Sequence, residues 1–476
     1  MSISIKTDNP AFDNLPEIII DFLKQDIFEV IIDGDKIRGY RTPDAISLWI
    51  RDYSDMMRAV KYIEPDMQSA VTHFAETQAD SGRIFDYFTT FPEKLPCERE
   101  NWTKYVRVPV EADVEFRFVK AAWLAWQASE DDAWIARLLP KMEKALGYIL
   151  NHPWRWDKTH NLVKRAYTID TWDFAYTAGK RDWLQFQIDD NTFWGIMHGD
   201  NSGYYEAFRI MEKFYAHFGN LPKSSEWAHR ADELKAAMNK VCWNGNFYTH
   251  FVKLNPVTIP GVDESRQLSL SNPMDINRGT TDREMARLII REYRSRWEKS
   301  NSFAEWFSID PPFPDGIFGD EKIICGAYAN GGIMPLVGGE LAKAAFDNGY
   351  EEYGAGILTR YYQMVSKRGE TFLWYFPSGE AASLETSTSP DAQPTDAWGS
   401  SAMLYALIEG LAGITDLGSG FKNVRLSPRW KEVGINSADV ELSYAASGRK
   451  LSYHYEVIND EVRIDVECDG DVKIVL

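Results

Sequence analysis

Up to about residue 415 the apolar positions of this chain recur every three or four residues, the spacing of an amphipathic helix, and beyond it they alternate. The helical spacing predicts eleven helices, near 14–26, 52–63, 65–80, 112–129, 132–152, 201–218, 223–240, 280–298, 331–348, 350–367 and 397–413. The patterns are of two kinds. The stretches ADVEFRFVKAAWLAW (112–126) and GGIMPLVGGELAKAAF (331–346) are apolar nearly all round, as helices buried on most sides are. By contrast TDREMARLIIREYRSRWEKS (281–300) carries one stripe of Met285, Leu288, Ile289 and Tyr293 among charges. Segment 223–240 behaves similarly, so both read as half-exposed helices. Buried helices paired with amphipathic ones predict two concentric layers. A ring of helix hairpins, a mainly α (α/α)6 toroid, is the economical arrangement of that many helices in two layers. An open solenoid is disfavoured, because no self-similarity at periods of roughly 20–50 residues is present.

The connections 81–110, 153–199, 241–279, 299–330 and 369–396 are long for a plain bundle. Loops of that length commonly carry function. They are rich in Trp, Pro, Gly and acids, which suits a pocket built over one mouth of the ring. FEVIIDGDKIRGYR (28–41) reads as a hairpin about Asp-Gly-Asp. After residue 416, VRLSPRW, ADVELSYAASGRKLSYHYEV and EVRIDVECDGDVKIVL read as strands, with Tyr444–Tyr455 alternating about a Ser-Gly turn. The expected organisation is a barrel over 1–415, with the hairpin near 28–41, and a β module over 416–476. That module is too short for a robust independent domain and is expected to pack on the ring.

Net charge is -19, which argues against nucleic acid or an anionic membrane as a partner through bulk electrostatics. No apolar run approaches the roughly eighteen residues of a membrane span. Cys97, Cys242, Cys325 and Cys468 form no CxxC spacing and read as free thiols of a reducing compartment. With no signal-peptide pattern in MSISIKTDNPAFDNLPE, the expected location is the cytoplasm. No metal-ligand spacing or cofactor motif is readable. The glycines of GGIMPLVGG are not a phosphate loop, since the lysine and the preceding strand are missing, and they predict close helix packing. The 17 Trp, 23 Tyr and 25 Phe fit either a large aromatic core or stacking platforms for sugar rings.

Four stretches flank the buried helices: SLWIRDYSDMM (47–57), TIDTWDFAYT (168–177), YANGGIMP (328–335) and SLETSTSPDAQPTDAWGSSAML (383–404). The second places Asp170 and Asp173 around Trp172 with neither helical nor strand period. A polar loop needs no Trp and a buried loop avoids paired acids, so the combination predicts an acid working against an aromatic wall. Each position also has a plainer reading. Arg51–Asp52 can be a helix-start ion pair, Asp173 a turn acid, and the Glu385 segment a surface loop. In HGDNSGYYEAF (198–208), Asp200 or Asn201 can cap a helix, or His198 and Asp200 can touch substrate. Trp194, Trp374, Tyr375 and Trp398 are either sugar platforms or core.

In order along the chain these stretches resemble the six-hairpin glycosidases: glucoamylases, trehalases and the processing α-glucosidases of glycoside hydrolase family 63. Trp49-Ile50-Arg51-Asp52 is similar to their W-x-R-D element, which holds the terminal sugar. Asp170-Thr171-Trp172-Asp173 resembles both the D-x-W-E and the S-G-W-D stretches that carry the general acid, and each comparison selects Asp173. Glu385, ahead of a turn-rich segment and the Trp398-Gly399-Ser400-Ser401-Ala402 helix start, is similar to the catalytic base, which in these families precedes a W-(S/T/G)-x-A helix start. Phe174 stands where glucoamylases have a second acid, and Glu385 lacks the usual Tyr-Asn or Gln neighbours. Glu370 and Glu380 are alternative bases.

The resemblance implies an exo-acting, inverting glycoside hydrolase acting on an oligosaccharide or glycoside, an α-glucoside first. Asp173 would be the acid and Glu385 the base, with no cofactor. Trp172 would raise the proton affinity of Asp173 and offer a sugar platform. Trp49, Arg51, Asp52, Asp170, His198, Asp200, Trp374 and Trp398 would complete substrate binding. An inverting phosphorylase, or a sugar-binding ring without catalysis, are the rival expectations.

Overall fold

In the computed structural model, which describes residues 2–43, 47–90, 102–105, 111–179, 188–387 and 394–475, the helical patterns become twelve described helices. They are α1 (Pro10–Gln25), α2 (Ile50–Val60), α3 (Ser69–Glu76), α4 (Val114–Ser129), α5 (Asp132–Asn151) and α6 (His198–His217). The chain continues with α7 (Leu221–Cys242), α8 (Ser271–Arg278), α9 (Arg283–Glu298), α10 (Pro335–Asp347), α11 (Glu351–Arg368) and α12 (Ala397–Tyr405). A wide π turn, Ala406–Leu411, prolongs α12. Eleven of these answer the expected helices. The twelfth, α8, lies inside the expected connection 241–279. Its sequence SNPMDINR buries Ser271, Asn272 and Asp275 as well as Met274 and Ile276, so it has no apolar stripe to read.

The even-numbered helices close a cycle: α2 packs on α4, α4 on α6, α6 on α8, α8 on α10, α10 on α12, and α12 on α2. The odd-numbered helices stand outside them, α5 on α4, α7 on α6, α9 on α8 and α10, α11 on α10, and α1 on α11 and α12. This is an (α/α)6 toroid. The all-round apolar patterns are α4 and α10 of the inner ring, where both flanks of a helix meet neighbours. The striped α7 and α9 bury one side only.

Each segment leading into an inner helix is long: 26–49, 77–113, 152–197, 243–270, 299–334 and 369–396. Those leading out are short: 61–68, 130–131, 218–220, 279–282 and 348–350. The long connections therefore gather at one face, where the six inner helices begin. Their positive dipole ends meet there. Outer helices α1, α5, α7 and α9 are capped by the side chains of Asn9, Asp131, Asn220 and Asp282. Of the inner helices α12 is capped by Asp396, while α2, α4, α6, α8 and α10 have no such cap and acids crowd the face.

The opposite face is covered by β structure. A four-stranded antiparallel sheet runs Ile3–Lys6, Ser437–Ser443, Lys450–Ile458, Glu461–Cys468. Its first strand comes from the start of the chain, so both chain ends build the module, rather than residues 416–476 alone. Phe421 stacks on Tyr444 at 4.1 Å and Tyr62, just past α2, stacks on Tyr444 at 5.5 Å. Gln127 near the end of α4 donates to the Asp416 carbonyl at 2.9 Å. The hairpin Ile27–Ile32/Asp35–Tyr40 turns at Asp33 and Gly34, both with positive φ, as the Asp-Gly pair requires.

Candidate active site

The turn carrying the paired acids is held from several elements at once. Asp170 sits in the left-handed region at φ 46°. Its N–H donates to His250 Nε2 at 2.8 Å, and its carboxylate accepts from Ser271 Oγ at 2.5 Å and from its neighbour Thr171 N–H at 2.7 Å. The Thr171 carbonyl accepts from Arg51 Nη2, and the Trp172 carbonyl accepts from Arg165 Nη2. Three consecutive residues thus each give a backbone group to a side chain from elsewhere in the fold. Burial opposes the Asp170 carboxylate, yet His198, Ser269 and Ser271 together hold it below the ordinary aspartate range.

The side chain of Asp173 emerges from this mount with 17% of its surface exposed, its Oδ2 3.9 Å from Arg51 Nη1. Arg51 Nε donates to Asp113 Oδ2 at 3.0 Å, and its Nη1 lies 3.7 Å from Glu111 Oε1. The guanidinium is therefore tied to the turn and to the start of α4. Asp52, one residue on, is half-buried in the first turn of α2.

Trp172 meets Tyr328 edge to face at 5.1 Å. Trp49, which begins α2, is half-buried against Tyr87 at 3.9 Å. Trp398 is half-buried at the start of α12, its indole N–H donating to Asp55 Oδ2 at 3.1 Å. That bond anchors one edge of the ring in the core and fixes its orientation.

For Asp170, His198, Asp200 and Trp374 the expectation of a sugar contact is corrected by burial, since all four are inaccessible. His198 Nδ1 lies 2.5 Å from Asp275 and Nε2 lies 3.1 Å from Ser269 Oγ. Asp200 places both carboxylate oxygens on Arg165 Nη1, at 3.0 and 3.3 Å. Burial pushes its carboxyl up to about 6, with Arg165 opposing and Asp113 and Asp170 adding to the rise. Trp374 donates to Ser387 Oγ at 3.3 Å inside the core.

Glu385 stands in solvent on the 384–386 turn. A hydrogen bond from Ser383 holds its carboxyl below the usual glutamate range. Lys322 Nζ grips the same turn through the carbonyls of Leu384 and Ser387, at 3.2 and 3.3 Å. Glu370 and Glu380 are also exposed. Segment 388–393, inside the motif that carries Glu385, lies outside the described residues, as does Cys97.

Sequence reasoning missed Glu111, Asp113, Arg165, His250 and Ser271. A signal existed for the first two: VPVEADVE places three acids at the mouth of the most apolar helical pattern, where acids have no place in a plain core. Arg165, His250 and Ser271 stand in stretches with no readable period.

The ring of helix hairpins is a fold shared with solved glycosidase structures. The chain is similar to the family 78 rhamnosidase of Bacillus sp. GL1, with a TM-score of 0.65 and 15% identity over 100% of this chain and 42% of that one. It is similar to the α-L-rhamnosidase of Streptomyces avermitilis complexed with L-rhamnose, with a TM-score of 0.59 and 10% identity over 99% of this chain and 38% of that one. The family 63 mannosylglycerate hydrolase of Thermus thermophilus, in complex with glucose, matches with a TM-score of 0.55 and 12% identity over 83% of this chain and 99% of that one. The chain thus spans less than half the length of these two rhamnosidases. No protein-family model and no curated protein sequence matches it.

Proposed function

We propose that the protein is an exo-acting, inverting glycoside hydrolase whose reaction centre is the Asp173 mouth of the ring. The observation that carries this reading is the mounting of Asp173: a part-exposed carboxyl on a turn fixed by the side chains of His250, Arg51 and Arg165, next to Trp172 and its partner Tyr328. Precise placement of a proton donor relative to the reacting bond is a large share of such catalysis. Asp173 would protonate the leaving oxygen. Glu385, its carboxyl held low by Ser383 and so ionised near neutral pH, would activate water from the other side. An inverting pair requires the two carboxyls to stand roughly 6.5–9.5 Å apart when substrate is bound. The aromatic faces of Trp49, Tyr328 and Trp398 would stack the sugar, and Asp52 would accept from its hydroxyls.

The ring axis beneath the mouth is plugged by buried charges, Asp55 with Arg117 and Arg58 with Glu340. A mouth closed below in this way would admit a chain end, which favours exo action. Among the described residues Arg51 and Arg165 are both committed to protein partners, which favours water over phosphate as acceptor. The structural neighbours widen the candidate glycone to α-L-rhamnosides beside α-glucosides.

The test is a proton NMR time course with aryl and oligosaccharide α-glucosides and α-L-rhamnosides, with and without phosphate. The expected outcome is release of a free sugar whose first-formed anomer is inverted, with turnover lost in Asp173→Asn and Glu385→Gln. Activity that survives Glu385→Gln but not Asp52→Asn would move the base to Asp52. Turnover that requires phosphate would make the protein a phosphorylase.

A further inference from the structure

We propose that Arg165 is a positioning residue for Asp173, holding the peptide carbonyl that immediately precedes it, and that Asp200 aims Arg165. The proposal rests on the reading of Asp173 as the reacting acid. Arg165 lies on the two-residue strand Arg165–Ala166, where Gly195 pairs with it across the sheet. It is completely inaccessible, one of the largest side chains so buried. One terminal nitrogen is taken by both oxygens of Asp200 and the other by the Trp172 carbonyl, while Nε has no hydrogen-bond partner.

That pattern is not what packing alone calls for. An arginine is costly to bury, and an apolar side chain of similar volume fills a core site without the desolvation penalty or the orphaned Nε. What the guanidinium supplies is a directed pair of donors with fixed geometry. One is spent on a counter-ion that fixes the plane of the group. The other reaches the single carbonyl from which the Asp173 residue continues. The Trp172–Asp173 peptide plane sets the direction in which the Asp173 side chain leaves the backbone, so a rotation there swings the carboxyl. Arg51 makes the matching bond to the preceding carbonyl, but it also approaches the Asp173 carboxylate. Arg165 has no such contact among its bonds, so its influence on Asp173 runs through the backbone.

Asp200 follows from the same geometry. It stands in the first turn of α6, fully buried, with Arg165 as its hydrogen-bonded partner. Its place near a helix start, read along the sequence, suggests a cap or a substrate contact. In the fold it is the counter-ion of a buried cation.

The experiment compares the wild type with Arg165→Lys, Arg165→Ala and Asp200→Asn. Hydrogen exchange of the segment spanning 168–176, without substrate, reads the turn directly. Steady-state kinetics on the glycoside the wild type cleaves read its consequence. The expected result in folded Arg165 variants is exchange of the 170–173 amides faster by about tenfold or more, with the amides of α10 unchanged. kcat should fall about 100-fold with KM little altered, since a misplacement of an ångström costs that much. Added guanidinium should restore kcat in Arg165→Ala, and Asp200→Asn should show the same effects to a smaller degree. Wild-type exchange in a folded variant, an unchanged kcat, or a joint loss of kcat and affinity without rescue would overturn the proposal. So would failure of both Arg165 variants to fold, which would make the residue structural. If the wild type cleaves no glycoside, the reading of Asp173 fails, while the exchange data still decide whether Arg165 holds the turn.

Discussion

Glu115 shows how a single side chain near the mouth acquires a pH dependence. It begins α4, is buried, and accepts from Ile84 N–H at 3.2 Å. Tyr204 sends its hydroxyl proton to the Ala112 carbonyl at 2.6 Å and stands 3.4 Å from Glu115 Oε2. One phenol has one proton to give, and the nearer Ala112 carbonyl takes it, so the Glu115 carboxylate gains little from Tyr204. Burial pushes that carboxyl up to about 7, against the pull of Arg155. The sign follows from linkage: between an unfolded value of roughly 4.3 and about 7 the folded state keeps a proton the unfolded state loses, so stability falls as pH rises through that window. Glu115→Gln keeps both contacts and removes the titration. It should raise the melting temperature at about pH 8, by up to about 3 kcal/mol of stability, and change it little at about pH 4. Thermal melts across that range check it.

Among the elements, the α10–α12 contact illustrates what the glycines of GGIMPLVGG do. A Cβ on Gly339 would lie 2.3 Å from the backbone carbonyl carbon of Ala402, and one on Gly399 would lie 2.6 Å from Pro335 Cβ. The two helices approach so closely that a methyl group must push backbone aside. Gly339→Ala is expected to destabilise the protein by about 1–3 kcal/mol despite its better helix propensity, as chemical denaturation will show. The packing role of these glycines was readable from the sequence, because an apolar run punctuated by glycines has few other uses. By contrast α8 was unreadable. Its polar residues are buried by the site they serve: Ser271 binds Asp170, Asp275 binds His198, and Asn277 binds Glu340. Periodicity detects elements that bury apolar faces, and α8 buries a polar one.

Across the whole molecule, the ring axis is closed by a charge network to which every inner helix contributes. Asp55 of α2 accepts from Arg117 of α4 at 2.6 Å and from Trp398 of α12 at 3.1 Å. Arg58 of α2 binds Glu340 of α10, which accepts from Asn277 of α8 at 2.6 Å. Lys120 of α4 lies 3.4 Å from Glu206 of α6. Burial works against the Asp55 carboxylate, but Arg117, Arg58 and Lys120 outweigh it and hold it well below the usual range. Its stabilisation is therefore present above the unfolded value of roughly 3.9 and is lost only as pH falls through the much lower folded value. Asp55→Asn leaves three buried cations without their common anion and should cost about 3–5 kcal/mol near neutral pH. Equilibrium unfolding in urea reads that loss, and a variant as stable as the wild type would show that the axis is held by packing alone.

Eleven of the twelve described helices, the division into inner and outer layers and the hairpin at Asp33-Gly34 were legible along the chain, because each rests on the spacing or type of neighbouring residues. The placement of individual site residues was not. Nothing near Arg51 in sequence says that it holds the Thr171 carbonyl; His198 and Asp200, read as a cap or contacts, are buried against Asp275 and Arg165; Arg165, His250 and Ser271 carried no local mark. Their partners lie tens of residues away, and a charged side chain acquires its role from the group it is buried against. Local spacing can say that a helix has a buried face, but only the closed ring says which charges meet on it.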